Sequence, residues 1–204
     1  APYDNYTSGS WATGSTSLPN WVSDKSTFYN NISDFDNYSN LNNNTNVSRF
    51  YYEMSKQQFR LIADVYPQRI NIDATGATSW YTLTQRVFEK MKTDDPNFDW
   101  SPYDNRTNYP NYQYDGSNSS PDLKPDYVVV IFRYNDNWTN KPVSGMSSWS
   151  GSQGGYAALY TPLNFSYNNY TFHDYCGYTH CLGTSSPYGL FIHEVAHNLF
   201  DCPH

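Results

Sequence analysis

Two histidines and a glutamate near the end of this chain have the types and spacing that metal-dependent hydrolysis requires. Residues 193–197 read His-Glu-Val-Ala-His, and all five histidines of the 204-residue chain lie within residues 173–204. On an α-helix, residues four apart lie on one face, so His193 and His197 can bind the same zinc ion. A glutamate beside such a pair can take a proton from a water molecule bound to the ion. The pattern therefore predicts zinc ligands at His193 and His197 and a general base at Glu194.

The sequence leaves the identity of the third zinc ligand undecided. A tetrahedral catalytic zinc takes three protein ligands and leaves one position for water. His204 follows His197 by seven residues, and Pro203 can end the helix so that the chain turns back towards the ion. Asp201 is the alternative third ligand, although a regular helix carries its carboxylate a further turn from the metal. A ligand beyond residue 204 is the remaining alternative, and we favour His204.

The element that carries the zinc ligands is predicted to be a helix packed on one side. Ser186 is the expected N-cap and Pro187 occupies the first helical position, where a missing N–H costs nothing. The side of the helix away from the ligands is apolar and predicted to be buried: Leu190, Phe191, Val195 and Leu199.

The preceding segments predict a sheet. Aromatic and β-branched runs favour strands over residues 59–66 and 70–72, and residues 50–54 form either a strand or the end of a short helix. The unbroken apolar run in residues 126–134 is typical of a central strand buried on both faces. Residues 154–160 predict an edge strand whose glycines allow close approach of another backbone.

A backing helix is predicted over residues 79–92, because its apolar residues recur at helical spacing: Trp80, Leu83, Val87, Phe88 and Met91. The order strand, helix, strand, edge strand, zinc helix predicts an α+β fold. Residues 1–47 are rich in Asn, Ser and Tyr and predict an irregular N-terminal region. The folded domain is therefore expected over residues 48–204.

Composition narrows the class of protein. Charged residues make up only 15% of the chain and the net charge is −7, which argues against a nucleic-acid partner. No apolar run is long enough to span a membrane. Ten Asn-x-Ser/Thr sequons predict a secreted or cell-surface protein and are candidate glycosylation sites: Asn5, Asn31, Asn37, Asn43, Asn46, Asn105, Asn118, Asn137, Asn164 and Asn169.

The three cysteines predict one disulfide in an oxidising compartment. Cys176 and Cys181 enclose a four-residue loop and are the natural pair. Cys202 then bonds a cysteine elsewhere, or it replaces one member of that pair. A structural zinc site built from His173, Cys176, His180 and Cys181 is the alternative.

Calcium is a second candidate cation. Four aspartates lie in the Asn-, Tyr- and Pro-rich loop between residues 97 and 125, and hard oxygen ligands of this kind suit calcium: Asp99, Asp104, Asp115 and Asp122. The spacing of a calcium-binding loop, Asp-x-Asp-x-Asp-Gly, is absent from the sequence.

Three segments together resemble a known family. The segment Ser48-Arg49-Phe50-Tyr51-Tyr52-Glu53-Met54-Ser55, the valine strand after Asp126-Tyr127, and the zinc helix look like the secreted immune-inhibitor-A-type metallopeptidases of the zincin superfamily. The resemblance implies zinc ligands at His193 and His197 and catalysis by Glu194. It also implies a zincin-like mixed sheet with an amphipathic backing helix and a polypeptide substrate. Because such domains are longer, we expect both ends of this one to be truncated.

Two functions from different classes follow. The first is a secreted zinc endopeptidase, which the intact Glu194 favours. The second is a catalytically inactive zincin-like module, adhesive or structural, within a larger glycosylated extracellular assembly.

Overall fold

The computed structural model describes residues 47–73, 77, 79–107, 120–133, 155–158, 162–173, 175–180 and 192–197. The chain divides into two units. The first contains Ala1–Arg69, Arg133–Asp136 and His180–Ile192, and the second contains Ile70–Phe132, Asn137–Thr179 and His193–His204. Residues 1–46 lie outside the described residues, so the irregular N-terminal region and its boundary at residue 48 stay predictions.

Helix α1, Val47–Met54, is the regular element of the first unit among the described residues. Its buried side chains, Val47, Ser48 and Tyr51, recur at helical spacing and form one face. Met54 lies outside this face and is 70% exposed. The helical alternative for residues 50–54 is therefore the one that the fold adopts.

Residues 59–66 do not form the predicted strand. They have no regular secondary structure and no ladder partner among the described residues. The carbonyl oxygen of Leu61 instead accepts a hydrogen bond of 2.7 Å from the Ser48 hydroxyl. Leu61 is buried while Ile62 is 71% exposed, so this segment covers α1 with alternate residues. An apolar run that packs on a helix can thus look like a strand in sequence.

Helix α2, Trp80–Asp94, confirms the helix predicted over residues 79–92, while its place behind the larger sheet stays a prediction. The Ser79 hydroxyl caps its first turn by accepting the Thr82 N–H at 3.1 Å. The predicted stripe is buried where its side chains are described: Leu83, Val87, Phe88 and Met91.

An aromatic core packs against this stripe. Phe88 stacks on Phe172 with ring centroids 4.1 Å apart, and Trp100 meets Phe172 edge-on at 5.0 Å. Phe172 follows a hairpin of two short strands, β3 (Ser166–Tyr167) and β4 (Tyr170–Thr171). The core of the second unit therefore lies between α2 and this hairpin.

The larger sheet of the second unit has strands β1 (Val128–Arg133), β2 (Gly155–Ala158) and β5 (Tyr175–His180). Their order is β1-β5-β2, and β2 pairs antiparallel with β5. Strand β2 confirms a strand within residues 154–160. The prediction that residues 126–134 form a central strand is wrong for the described sheet, because β1 is at its edge and β5 occupies the middle.

Candidate metal centre

Residues 192–197 form helix α3, which contains the whole His-Glu-x-x-His sequence. Val195 is fully buried, as the apolar side of the helix predicts. The ligand side is not open along its length: His197 is 3% exposed and Glu194 is 4% exposed, while His193 is exposed. The site therefore combines a buried imidazole and a buried carboxyl group with a second imidazole that is exposed at the surface.

The two imidazoles of α3 converge. The Nε2 atoms of His193 and His197 are 3.0 Å apart, and the ring planes are nearly perpendicular at 89°. Two histidine nitrogens that bind one tetrahedral zinc at about 2.05 Å each are separated by roughly 3.3 Å. The observed separation is within a few tenths of an ångström of that value, so both nitrogens can bind a common ion after a small side-chain movement. These two residues fit a zinc site.

Glu194 has the electrostatic character of a proton acceptor that works near neutral pH. Burial raises the pKa of its carboxyl group from 4.5 to about 7, because a charged carboxylate is poorly solvated there. On the helix, Glu194 is one residue from His193 and three from His197, so it belongs to the same side as the buried ligand. A carboxyl group with this pKa can both accept and release a proton at neutral pH.

Neither candidate for the third zinc ligand, His204 or Asp201, lies among the described residues. Within the ranges that the structure describes, no three His, Cys, Asp or Glu side chains are grouped to hold one metal ion. His204 therefore stays a prediction, with Asp201 or a residue beyond position 204 as the alternatives.

The aspartates of the predicted calcium site have protein partners where they are described. The two carboxylate oxygens of Asp104 accept the N–H groups of Asp122 and Leu123, each at 3.0 Å. The Asp122 carboxylate accepts from the Lys124 ammonium at 2.8 Å. These bonds join Asp104 to residues 18 and 19 positions later in the chain, and Asp115 lies outside the described residues. Calcium binding stays a prediction.

The backbone of β5 bears on the predicted disulfide. Cys176 is the second residue of this strand, which continues to His180, the residue before Cys181. At about 3.3 Å per residue, the Cα atoms of Cys176 and His180 are about 13 Å apart. Cys181 itself lies outside the described residues, so the Cys176–Cys181 disulfide stays a prediction.

The predicted Cys176–Cys181 disulfide can be tested directly by peptide mapping with mass spectrometry, without reduction and with thiols blocked before digestion. We expect a linked peptide that joins the two cysteines, because they are close in sequence and an oxidising compartment favours the bond. Two blocked thiols at these positions would contradict the pairing. The alternative structural zinc site with His173, Cys176, His180 and Cys181 stays a prediction as well, although Cys176 and His180 stand at separated positions of one extended strand.

Three of the ten sequons fall on described residues, and all three asparagines are exposed: Asn105, Asn164 and Asn169. Asn169 lies in the turn between β3 and β4, where its φ is 70°. The side-chain amide of Asn105 instead donates to the carbonyl of Pro102 at 3.0 Å. The other seven asparagines lie outside the described residues, and glycosylation stays a prediction at all ten.

Comparison with known proteins gives no match: no family model fits the chain, and neither a curated protein nor a solved structure is detectably similar to it. No helix in the part of the chain that the structure describes is long and apolar enough to cross a membrane. The likeness to the immune-inhibitor-A-type metallopeptidases therefore depends on the motif residues themselves.

Tyr51 makes a contact that sequence analysis did not predict. Tyr51 donates its hydroxyl hydrogen to the main-chain carbonyl of Ile192, at 2.6 Å. The two residues belong to the same unit and are 141 positions apart in the chain. The available signal was the Tyr51-Tyr52 pair in the segment that resembles the metallopeptidase family.

Proposed function

We propose that this chain is a secreted zinc-dependent endopeptidase in which His193 and His197 bind the metal and Glu194 is the general base. The observation that carries the proposal is the 3.0 Å approach of the two Nε2 atoms on one helix. A shared zinc ion requires two ligand nitrogens about this close together, and helical spacing places both imidazoles on one face.

The chemistry follows from the positions of the side chains. Zinc, when bound, would polarise the scissile carbonyl and acidify a water molecule. Glu194 accepts the proton of that water and passes it to the leaving amine. In the metal-free protein burial raises the pKa of Glu194 to about 7, and a bound zinc ion would lower it towards the ionised form that accepts a proton. Val195, which is fully buried, holds the opposite side of the helix in place.

A polypeptide substrate is supported by the sheet. Strand β2, Gly155–Ala158, is an edge strand among the described strands and pairs with β5 on one side. An extended peptide can add to such an edge through main-chain hydrogen bonds, which do not depend on the identity of its side chains. We propose that β2 binds the substrate in this way.

Secretion is supported by the ten sequons and by a chain in which only 15% of the residues are charged. The same features suit the second candidate, an inactive zincin-like module of a larger glycosylated extracellular assembly. The two candidates differ at Glu194, because burying a carboxyl group beside two histidines costs folding free energy and groups with such perturbed pKa values cluster at functional sites.

Metal analysis tests the zinc site. We expect about one zinc per chain after dialysis against metal-free buffer, because a catalytic site holds one ion. His197→Ala should remove that zinc, since it deletes one of two converging nitrogens. His173→Ala is the matched control and should retain the zinc. A wild-type protein without zinc, or a His197→Ala protein that keeps it, would overturn the proposed site.

A further inference from the structure

The motif helix is contacted at Ile192 by a residue from a distant part of the sequence. Ile192 is the first described residue of α3, and its carbonyl group lies in the same peptide plane as the N–H of His193. The Tyr51 hydroxyl donates to this carbonyl at 2.6 Å. A hydrogen bond to that oxygen therefore restrains the orientation of the peptide group that precedes the first zinc ligand.

Tyr51 is itself held rigidly. Its side chain is 3% exposed and meets the rings of Phe50 and Phe59 edge-on, with centroids 5.4 Å and 5.9 Å away. The Ser48 hydroxyl one turn earlier bonds the carbonyl of Leu61, which fixes α1 to the segment that covers it. A buried tyrosine hydroxyl needs a hydrogen-bond partner, and here the partner is the main chain beside His193.

We propose that Tyr51 is a positioning residue of the metal centre. It acts through the Ile192 carbonyl to hold the peptide group before His193, so that the His193 imidazole is directed towards His197 before zinc binds. This inference rests on the proposed function, because it assigns Tyr51 a role towards the same site. Residues that orient metal ligands from outside the coordination sphere commonly change metal affinity about 10- to 100-fold when they are altered.

Tyr51→Phe removes the hydroxyl and keeps the ring. Tyr52→Phe is the matched control, because it deletes the same group from the next residue of α1, where the hydroxyl contacts the exposed Gln57 at 3.5 Å. Zinc affinity is measured by competition with a chromophoric chelator at a temperature at which both variants are folded. We expect Tyr51→Phe to raise the zinc dissociation constant roughly tenfold, while Tyr52→Phe leaves it unchanged.

A second measurement does not involve the metal. Amide hydrogen exchange of residues 192–197 in the zinc-free protein should be faster in Tyr51→Phe than in Tyr52→Phe, because the first turn of α3 has lost its anchor. Equal exchange in both variants would overturn the proposal. Faster exchange with an unchanged zinc dissociation constant would overturn it as well, since Tyr51 would then be structural only.

The two proposals fail in different ways. A wild-type protein that binds no zinc would remove the metal centre, and with it the role of Tyr51 there, while hydrogen exchange would still show whether Tyr51 anchors α3. Zinc binding with no difference between Tyr51→Phe and Tyr52→Phe would leave the proposed function intact and overturn this inference alone. A Tyr51→Phe chain that does not fold would overturn it too, because the hydroxyl would then be required for folding rather than for the metal site.

Discussion

Replacing Glu194 by glutamine is expected to lower kcat/KM for peptide cleavage about 10²- to 10⁴-fold, the range that a positioned general base contributes. Glutamine has almost the same shape as the glutamate, so the helix and its buried face should persist. It cannot accept a proton from the attacking water, and catalysis should fail at that step. Cleavage of a protein substrate, followed by separation of the fragments, measures the loss.

The control for this prediction is Glu89→Gln. Glu89 is exposed on α2 and accepts a hydrogen bond of 2.8 Å from Gln85, so the same chemical change there should leave cleavage unaffected. Both variants should retain zinc, because His193 and His197 are unchanged. Full activity in Glu194→Gln would exclude Glu194 as the general base, and absent activity in the zinc-loaded wild type would favour the inactive extracellular module.

The part of the fold that depends on short-range periodicity was predictable. The stripe of Leu83, Val87 and Met91 predicted an amphipathic helix, and α2 confirms it, because such a helix specifies its own buried face. The convergence of His193 and His197 was equally local, since residues four apart on a helix lie above one another. Neither prediction needs any knowledge of the rest of the chain.

The predictions that were wrong depend on contacts between segments far apart in the sequence. Strand β1 has the apolar sequence of a central strand but lies at the edge of the described sheet, because strand order depends on which segments pair and not on the strand itself. Residues 59–66 have strand-like composition, yet the Leu61 carbonyl is taken by Ser48. The Tyr51–Ile192 hydrogen bond joins residues 141 positions apart, and no local sequence pattern predicts it. The zincin-like arrangement of the whole domain stays a prediction.

A second large effect is expected in the stability of the zinc-free protein as the pH changes. Glu194 has a pKa of about 7 in the folded protein and an ordinary value of 4.5, so between these values the folded state binds more protons than the unfolded state. The free energy of unfolding should therefore fall as the pH rises from about 4.5 to about 7. A rise in pKa from 4.5 to about 7 corresponds to about 3 kcal/mol of folding free energy. Solvent screens this little, because Glu194 is only 4% exposed.

Comparison of the wild type with Glu194→Gln isolates this contribution. Asp126, whose pKa is also raised by burial, titrates in both proteins and cancels in the difference. Urea unfolding at several pH values should give a zinc-free Glu194→Gln protein that is more stable than the wild type above pH 7, with the advantage vanishing below about pH 4.5. The substitution that abolishes catalysis would thus strengthen the fold. Parallel curves for the two proteins would show that Glu194 is well solvated or paired, and the reason for regarding it as a tuned proton acceptor would be lost.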